Sequence, residues 1–531
     1  VFGWHYGDAS ALPVVAGGSL ELTRDVVCDH EGIRQMWVAW RSGVPGTWIP
    51  GVSANCSCNE IAALKLRSLA PLPRPPDARL GPAALKVFRD LRRLATSYGG
   101  LRWSDLEVAE SYSGSLRRRY LEAERSLRVD GPLNHSDVYL RAFLKADKWG
   151  AGKLSKPRLI FPRSPRYNLT LASWLKPLEH WLWGRLTARR LFRGSNTRVV
   201  AKGLNPRQRA NLIVRKFRAI PDCVVFEADG KAFEAHVTRP QLEQEHAVYL
   251  SACAGDRELQ RVLSRQLRLT GKTFGGVKFD REGGRASGDF NTGMGNTLIM
   301  LVVVVAALRT FGVRFDVLVD GDNALVFLSR GDADRVVGGF APLCLDLSGH
   351  EMTLESPVTV LEKVRFGQSA PVFLGHRLGW TMVREPLKVL SGAGASHRWL
   401  RSERFGRRYL HGVARCELSL ARGVPVLQRA FLELLRTPVS GKQVDADVYR
   451  DYFMIGAWLA GEDSVVEVSQ EARVSYAVAF GVEPEEQLRV ESELKGLGPL
   501  WPVQACEYPQ PPAWTRADPG FYETFLDPHF W

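Results

Sequence analysis

Phe315-Asp316-Val317-Leu318-Val319-Asp320-Gly321-Asp322-Asn323-Ala324-Leu325-Val326-Phe327-Leu328 reads as two apolar strands, Phe315 to Val319 and Ala324 to Leu328. They flank Gly321-Asp322, a pair suited to a two-residue hairpin turn. Such a hairpin would hold a carboxylate at the tip of a buried sheet. Upstream, Cys223-Val224-Val225-Phe226 is a short buried strand ending at Asp229. A helix follows, for which Thr238 and Gln241 match a capping box and Leu242, Tyr249, Leu250 and Cys253 keep near one face. A second helix begins after Ser287-Gly288 and continues through an apolar stretch to Leu308. Strand, helix, helix and hairpin make an α+β core with carboxylates at the strand end and at the turn.

Outward from this core the pattern is mostly helical. Ala83 to Arg128 and Trp174 to Phe192 carry apolar residues at helical spacing. Pro71-Leu72-Pro73-Arg74-Pro75-Pro76 can continue neither a helix nor a central strand and reads as a linker. Beyond about residue 380 the chain is again helical, up to a Pro- and aromatic-rich tail from Gly498 to Trp531 that is expected to lie extended against the body. The longest apolar run, Leu298 to Leu308, is far short of the ~20 residues of a membrane span and predicts a buried helix.

The 531 residues include 45% apolar and 24% charged side chains, a balance that excludes disordered, collagen-like and fibrous classes. The eight cysteines are too sparse for a stapled secreted scaffold, and Val1 to Leu20 lacks the features of a signal peptide, so a reducing, cytosolic setting is expected. The absence of an initiating Met suggests a cleavage product or the end of a longer reading. Cys28-Asp29-His30 and Cys56-Ser57-Cys58 could converge on zinc, but one-residue spacings differ from the usual two to four and favour idle thiols.

Charge gives the first functional direction. With 71 basic and 57 acidic residues the chain carries a formal +14, which suits a polyanionic partner. Arg141, Lys145, Lys148, Lys153, Lys156, Arg158, Arg163 and Arg166 crowd one segment whose lone acid is Asp147. Leu159, Ile160 and Phe161 lie inside it, so part of the segment must pack while presenting cations inward. Downstream come Asp229-Gly230-Lys231-Ala232-Phe233-Glu234, then the glycine-rich Ser287-Gly288-Asp289-Phe290-Asn291-Thr292-Gly293-Met294-Gly295-Asn296, then Asp320-Gly321-Asp322-Asn323. A lone Gly-Asp turn is common; all three segments in this order behind a basic stretch form a specific signature.

That order resembles the viral RNA-dependent RNA polymerases, most closely the tombusvirus-like group of positive-strand RNA viruses. The basic finger motif is similar to Lys145 to Asn168, the three palm motifs to Asp229 to Val237, Ser287 to Asn296 and Gly321-Asp322-Asn323, and the primer-gripping motif to Phe366 to Val372. The resemblance implies a right-hand polymerase with a carboxylate-bearing antiparallel palm sheet. Its parts would be an N-terminal extension and linker (1–82), fingers with a basic nucleotide-entry motif (83–220), a palm (221–375) with a fingers insertion about 256–286, and a helical thumb with a C-terminal tail (376–531). It implies template-dependent RNA synthesis, with Asp229 and Asp322 catalytic and Asp229, Asp322 and Asn323 holding Mg²⁺, or Mn²⁺ as the alternative. Phosphoryl transfer of this kind needs positioning and charge stabilisation, which carboxylate-held metals supply. Lys145, Lys148, Lys156, Arg158, Arg163, Glu234, Ser287, Thr292 and Asn296 would contact the nucleotide, and Gly288, Gly293 and Gln368 the template and primer. Partners implied are the RNA template and product, ribonucleoside triphosphates and other replication proteins, in host cytoplasm or at a membrane-associated complex reached through a partner or upstream segment.

Three departures bear on that reading. Asn323 stands where the family has a second aspartate, and Glu234 where it has an aspartate that senses the ribose 2′-hydroxyl. No lysine lies between Ser329 and Pro357, where the family often places a general acid, leaving His350 as the substitute candidate. The alternative reading is a catalytically silent polymerase-like protein that binds RNA or organises a replication complex. A reverse transcriptase is disfavoured, because an aromatic gate would be expected near Glu234.

Overall fold

The computed structural model describes residues 9–23, 34, 36–148, 156–494, 496 and 498–501. Its central sheet is built from β5 (Cys223–Gly230), β8 (Phe315–Asp320), β9 (Asn323–Ser329) and β10 (Met352–Leu354). These run antiparallel in the order β10-β5-β9-β8. Asp320 pairs with Asn323 across the hairpin, and Gly321 turns the chain at φ +59, where an L side chain would be strained. β5 lies along the other side of β9, with Cys223 opposite Ser329 and Asp229 opposite Asn323.

Strand alternation sends Phe226, Ala228, Val317, Val319, Ala324, Val326 and Leu328 to one face, where they join the main core. That core is filled by the Thr292–Phe311 helix, which is buried from Met294 to Leu308. A helix apolar all round is stable where protein surrounds it. It is the one helix among the described residues long and apolar enough to cross a membrane, and 83% of its apolar window is buried inside the protein. The opposite face carries Val225, Leu318, Leu325 and Phe327 under the Pro206–Ala219 helix and under Phe366 and Met382. Glu227, Asp229 and Asn323 continue this second face past its apolar part.

A second sheet contains β1 (Ser19–Leu22), β3 (Leu140–Leu144), β4 (Leu159–Ile160), β6 (Arg268–Thr273) and β7 (Val277–Glu282). Its order is β1-β7-β6-β3-β4, with β3 and β6 parallel and the other neighbours antiparallel. Residues 268–282 therefore pair with the basic segment and with the chain's first described strand. β2 (Trp37–Val38) pairs with β13 (Ala395–Ser396), so the first 82 residues are tied into two regions distant in sequence. A hairpin of β11 (Ser369–Phe373) and β12 (Trp380–Arg384) leads into a helical region with its own core around Leu410, Val413, Phe431 and Tyr476.

Several local expectations are refined or corrected. The Ala83–Arg128 stretch is three helices, Pro82–Ala95, Asp105–Glu110 and Gly114–Val129, interrupted by Gly99 and Gly100 at positive φ. Trp174–Phe192 divides into Pro165–Arg185 and Ala188–Phe192. Thr238 is an N-cap residue without a side-chain cap bond, and the Gln241 amide instead donates to the carbonyls of His236 and Ser348. Cys28-Asp29-His30 and the tail beyond Trp501 lie outside the described residues.

Candidate active site

Sheet register brings the expected carboxylates together. Asp229 lies directly opposite Asn323, and the Gly230 N–H donates to the Asp322 carbonyl at 3.0 Å. Gly321 N–H donates to the Thr297 hydroxyl at 2.9 Å, and that hydroxyl donates to the Gly293 carbonyl at 2.6 Å. The turn is thus pinned to the first coil of the long helix. Between Asp229 and Glu234, Ala232 adopts φ +42, a strained conformation that folds the chain back over the strand end. The Arg285 N–H then bonds the Glu234 carbonyl at 2.9 Å, joining this turn to the glycine-rich segment.

The acids raise one another. Burial, then the charges of Asp229 and Glu234, push the Asp322 carboxyl up to about 6, against the opposing pull of Arg158. Burial and Glu355 raise Asp229 as well. Glu227, two residues before Asp229 and on the same face, is pushed to about 7 by burial, although the Gly367 N–H donates to it at 2.8 Å. Among the described residues no ion pair involves Asp229 or Asp322, and no group of three or more His, Cys, Asp or Glu is arranged to hold a metal ion. Two unpaired carboxylates with hard oxygen donors fit a Mg²⁺-type ion, which takes one or two protein carboxylates and completes its shell with phosphate and water.

Arg158 and Glu234, whose charges act on Asp322, belong to a neighbouring cleft of about 230 Å³ that is also lined by Arg67, Ser68, Lys145, Ile160, Ala232, Ser287 and Thr292 among others. Asp147 accepts from Arg158 Nε at 2.8 Å and lies 3.6 Å from Lys145 Nζ, so one acid aims two cations. Ser287 donates to the Leu159 carbonyl at 3.2 Å. Thr292 donates to the Ala286 and Asp289 carbonyls at 3.0 and 2.9 Å. Ser287 is not the helix cap; that position belongs to Asn291.

Other expected contacts are used by the protein itself. Lys148 Nζ donates to the carbonyls of Gly392 and Ala395 at 2.6 Å each and so ties the basic segment to β13. Arg163 is ion-paired with Asp289, their side chains 1% and 2% exposed, and it also donates to the Val138 and Arg265 carbonyls. Asn296 is buried, accepting from Arg285 Nε at 2.9 Å. Lys156 is absent from the cleft lining; burial, then Lys231 and Arg67, lowers its pKa. Gln368 takes φ +61 in the turn before β11 and accepts from Lys388. At Gly288 a Cβ would come within 2.6 Å of the Phe161 carbonyl oxygen, so what approaches is the basic segment's own backbone. A Cβ at Gly293 would meet Lys202 Nζ at 3.1 Å. His350 is fully buried, bonded to Gln241 at 2.7 Å and pushed down to about 3 by burial and His236, so at neutral pH it is a neutral imidazole without the imidazolium proton a general acid would release.

Sequence reading missed Arg67, Glu227, Glu355 and the pairing of Asp320 with Lys202 and Arg209 at 3.0 and 2.7 Å. Glu227 had a signal, since strand alternation puts it on the Asp229 face. Arg67 had none: it arrives from a π-helical turn, Leu64–Ser68, far upstream.

Comparison with known proteins places the chain among viral polymerases. The family described as viral RNA dependent RNA polymerase matches residues 79–500. The RNA-directed RNA polymerase of Carnation mottle virus is 32% identical over 426 residues, covering 78% of this chain and 54% of that protein. That of Turnip crinkle virus is 32% identical over 434 residues, 80% of this chain and 54% of the relative. That of Tobacco necrosis virus (strain A) is 29% identical over 462 residues, 85% and 62% respectively. The chain spans about half the length of the first two.

Proposed function

The chain belongs to the viral RNA-dependent RNA polymerase family, and from that premise we propose that it copies an RNA template by adding ribonucleotides to a 3′-end. The observation that carries this is the register of β5 on β9, with Asp229 opposite Asn323 and Asp322 at the adjoining turn, within reach of the charges of Arg158 and Glu234 in the neighbouring cleft. On this reading the central sheet is the palm, the five-stranded sheet belongs to the fingers and the C-terminal helices form the thumb. Asp229 and Asp322, with the Asn323 carbonyl, would hold Mg²⁺ or Mn²⁺, which when bound supplies charge neutralisation at the attacking and leaving oxygens. Arg158, Lys145 and Arg67 meet the triphosphate, Arg158 with a planar fork suited to phosphate. Glu234, Ser287 and Thr292 surround the ribose. RNA and ribonucleoside triphosphates are the partners, with other replication proteins bringing the chain to a host membrane.

Because Asp147 aims both cations, Asp147→Asn is expected to raise the apparent KM for nucleotide roughly tenfold with little loss of RNA affinity. Steady-state incorporation at saturating template reads this, and an unchanged KM would remove Asp147 from the account.

The function itself is tested by supplying single-stranded RNA and four ribonucleoside triphosphates in Mg²⁺ and Mn²⁺ in parallel. Complementary product is expected, with Mn²⁺ the more effective because the neutral Asn323 holds a cation weakly. Asn323→Asp should shift the Mg²⁺ midpoint downward. An unchanged midpoint means Asn323 is no ligand, and no product in either metal favours a silent RNA-binding protein.

A further inference from the structure

The solvent face of the five-stranded sheet carries a row of charge that the cleft does not use. β3 pairs Arg141 with Lys272 of β6, and β6 pairs Lys272 with Lys278 of β7. Three cations therefore stand side by side on three neighbouring strands, all on the outward side, while Ala142, Gly271, Thr273, Val277 and Phe279 turn inward. Like charges in this relation repel. Among the described residues none of the three makes an ion pair, although Glu21 of β1 stands in register with Lys278. Further along, the same surface does neutralise its cations, with Arg268 bonded to Asp280 and Arg239 to Glu282.

Two aromatic rings adjoin the row. Phe143 follows Arg141 by two residues and Phe274 follows Lys272 by two; their centroids are 6.3 Å apart, and they are 38% and 74% exposed. Tyr139 lies on the other side of Arg141, its ring 6.0 Å from the guanidinium carbon. β4 sets Ile160 opposite Phe143, and Ile160 and Lys145 both line the cleft. Row, rings and cleft form one continuous surface.

We infer that this face is a second RNA-binding surface, taking single-stranded RNA with its phosphates on Arg141, Lys272 and Lys278 and its bases on Phe143 and Phe274. Unpaired cations beside exposed aromatic rings match what unpaired strands recognise, phosphate charge plus free base faces; a duplex offers no such faces. The inference rests on the proposed function only in taking RNA as the polyanion. The strand would run along β3 to the cleft.

The test uses the full chain and a fluorescently labelled oligouridylate, with affinity measured across a salt series. Replacing Arg141, Lys272 and Lys278 together by Ala should reduce the log–log salt slope by about 2, at roughly 0.7 per lost contact. Relief of repulsion should leave the thermal midpoint of this variant at or above wild type. Phe274→Ala, at a site already exposed, should weaken binding roughly tenfold with the slope unchanged. An unchanged slope in the triple variant, or unchanged affinity in Phe274→Ala, overturns the inference; if the triple variant melts early, Phe274→Ala decides alone. A raised nucleotide KM with RNA binding untouched also overturns it, since the face would then guide nucleotides. If wild type copies nothing yet these RNA effects appear, the proposed function fails and this surface stands.

Discussion

Asp322→Asn is expected to lower nucleotide incorporation by roughly 10³-fold while leaving the metal-free protein as stable as wild type or more so. The loss follows from removing a carboxylate that would hold a metal worth several kcal/mol of transition-state stabilisation. The stability gain follows from the acidic field: the Asp322 carboxyl sits at about 6 because burial, Asp229 and Glu234 oppose its charge. A carboxyl raised from 3.8 to about 6 contributes stability below pH 3.8 that is lost as pH rises through 6. Asp322→Asn should therefore flatten that part of the stability–pH curve. Divalent cation should raise the thermal midpoint of wild type and not of the variant. More than about a tenth of wild-type incorporation in the variant would contradict the assignment of the metal site.

Glu245→Ala should destabilise the fold by about 3–5 kcal/mol, because it strands a buried guanidinium. Glu245 is fully buried and ion-paired with Arg285; it also accepts from the Tyr249 hydroxyl at 2.7 Å and from Asn291 Nδ2 at 2.9 Å. Arg285 in turn holds Asn296. The network thus fixes both ends of the glycine-rich entry on which Ser287 and Thr292 depend. Urea unfolding checks the magnitude, and replacing Glu245 and Arg285 together by Met should lose less than Glu245→Ala alone. A cost below about 1 kcal/mol for Glu245→Ala would mean that water or repacking compensates Arg285.

The parts of this protein legible in its sequence are those set by local chemistry. Two short apolar runs and a Gly-Asp turn locate the hairpin, and an apolar run from a glycine-rich entry to Leu308 locates the long helix. Fates of individual polar side chains were less legible, because a cation aimed at a ligand and a cation satisfying protein carbonyls look alike in sequence. Lys148 and Arg163 fall in the second class, whereas Arg158 and Lys145 line the cleft beside Asp147, and what separates them is the placement of Asp147, Asp289 and the Gly392 and Ala395 carbonyls. Gly288, expected to contact template and primer, packs instead against Phe161 and Pro162. Strand pairings between distant segments, such as β1 on β7, have no local signature, since an isolated four-residue strand gains its partner only in the folded chain.

The most direct measurement is single-nucleotide incorporation on two RNA templates that differ at one base, with wild type and Asp322→Asn compared at saturating RNA. The account predicts that wild type adds only the complementary ribonucleotide on each template, switching choice with the base, and that Asp322→Asn binds both templates but adds nucleotide roughly 10³-fold more slowly. Incorporation that ignores the template base, or equal rates in the two proteins, would contradict it.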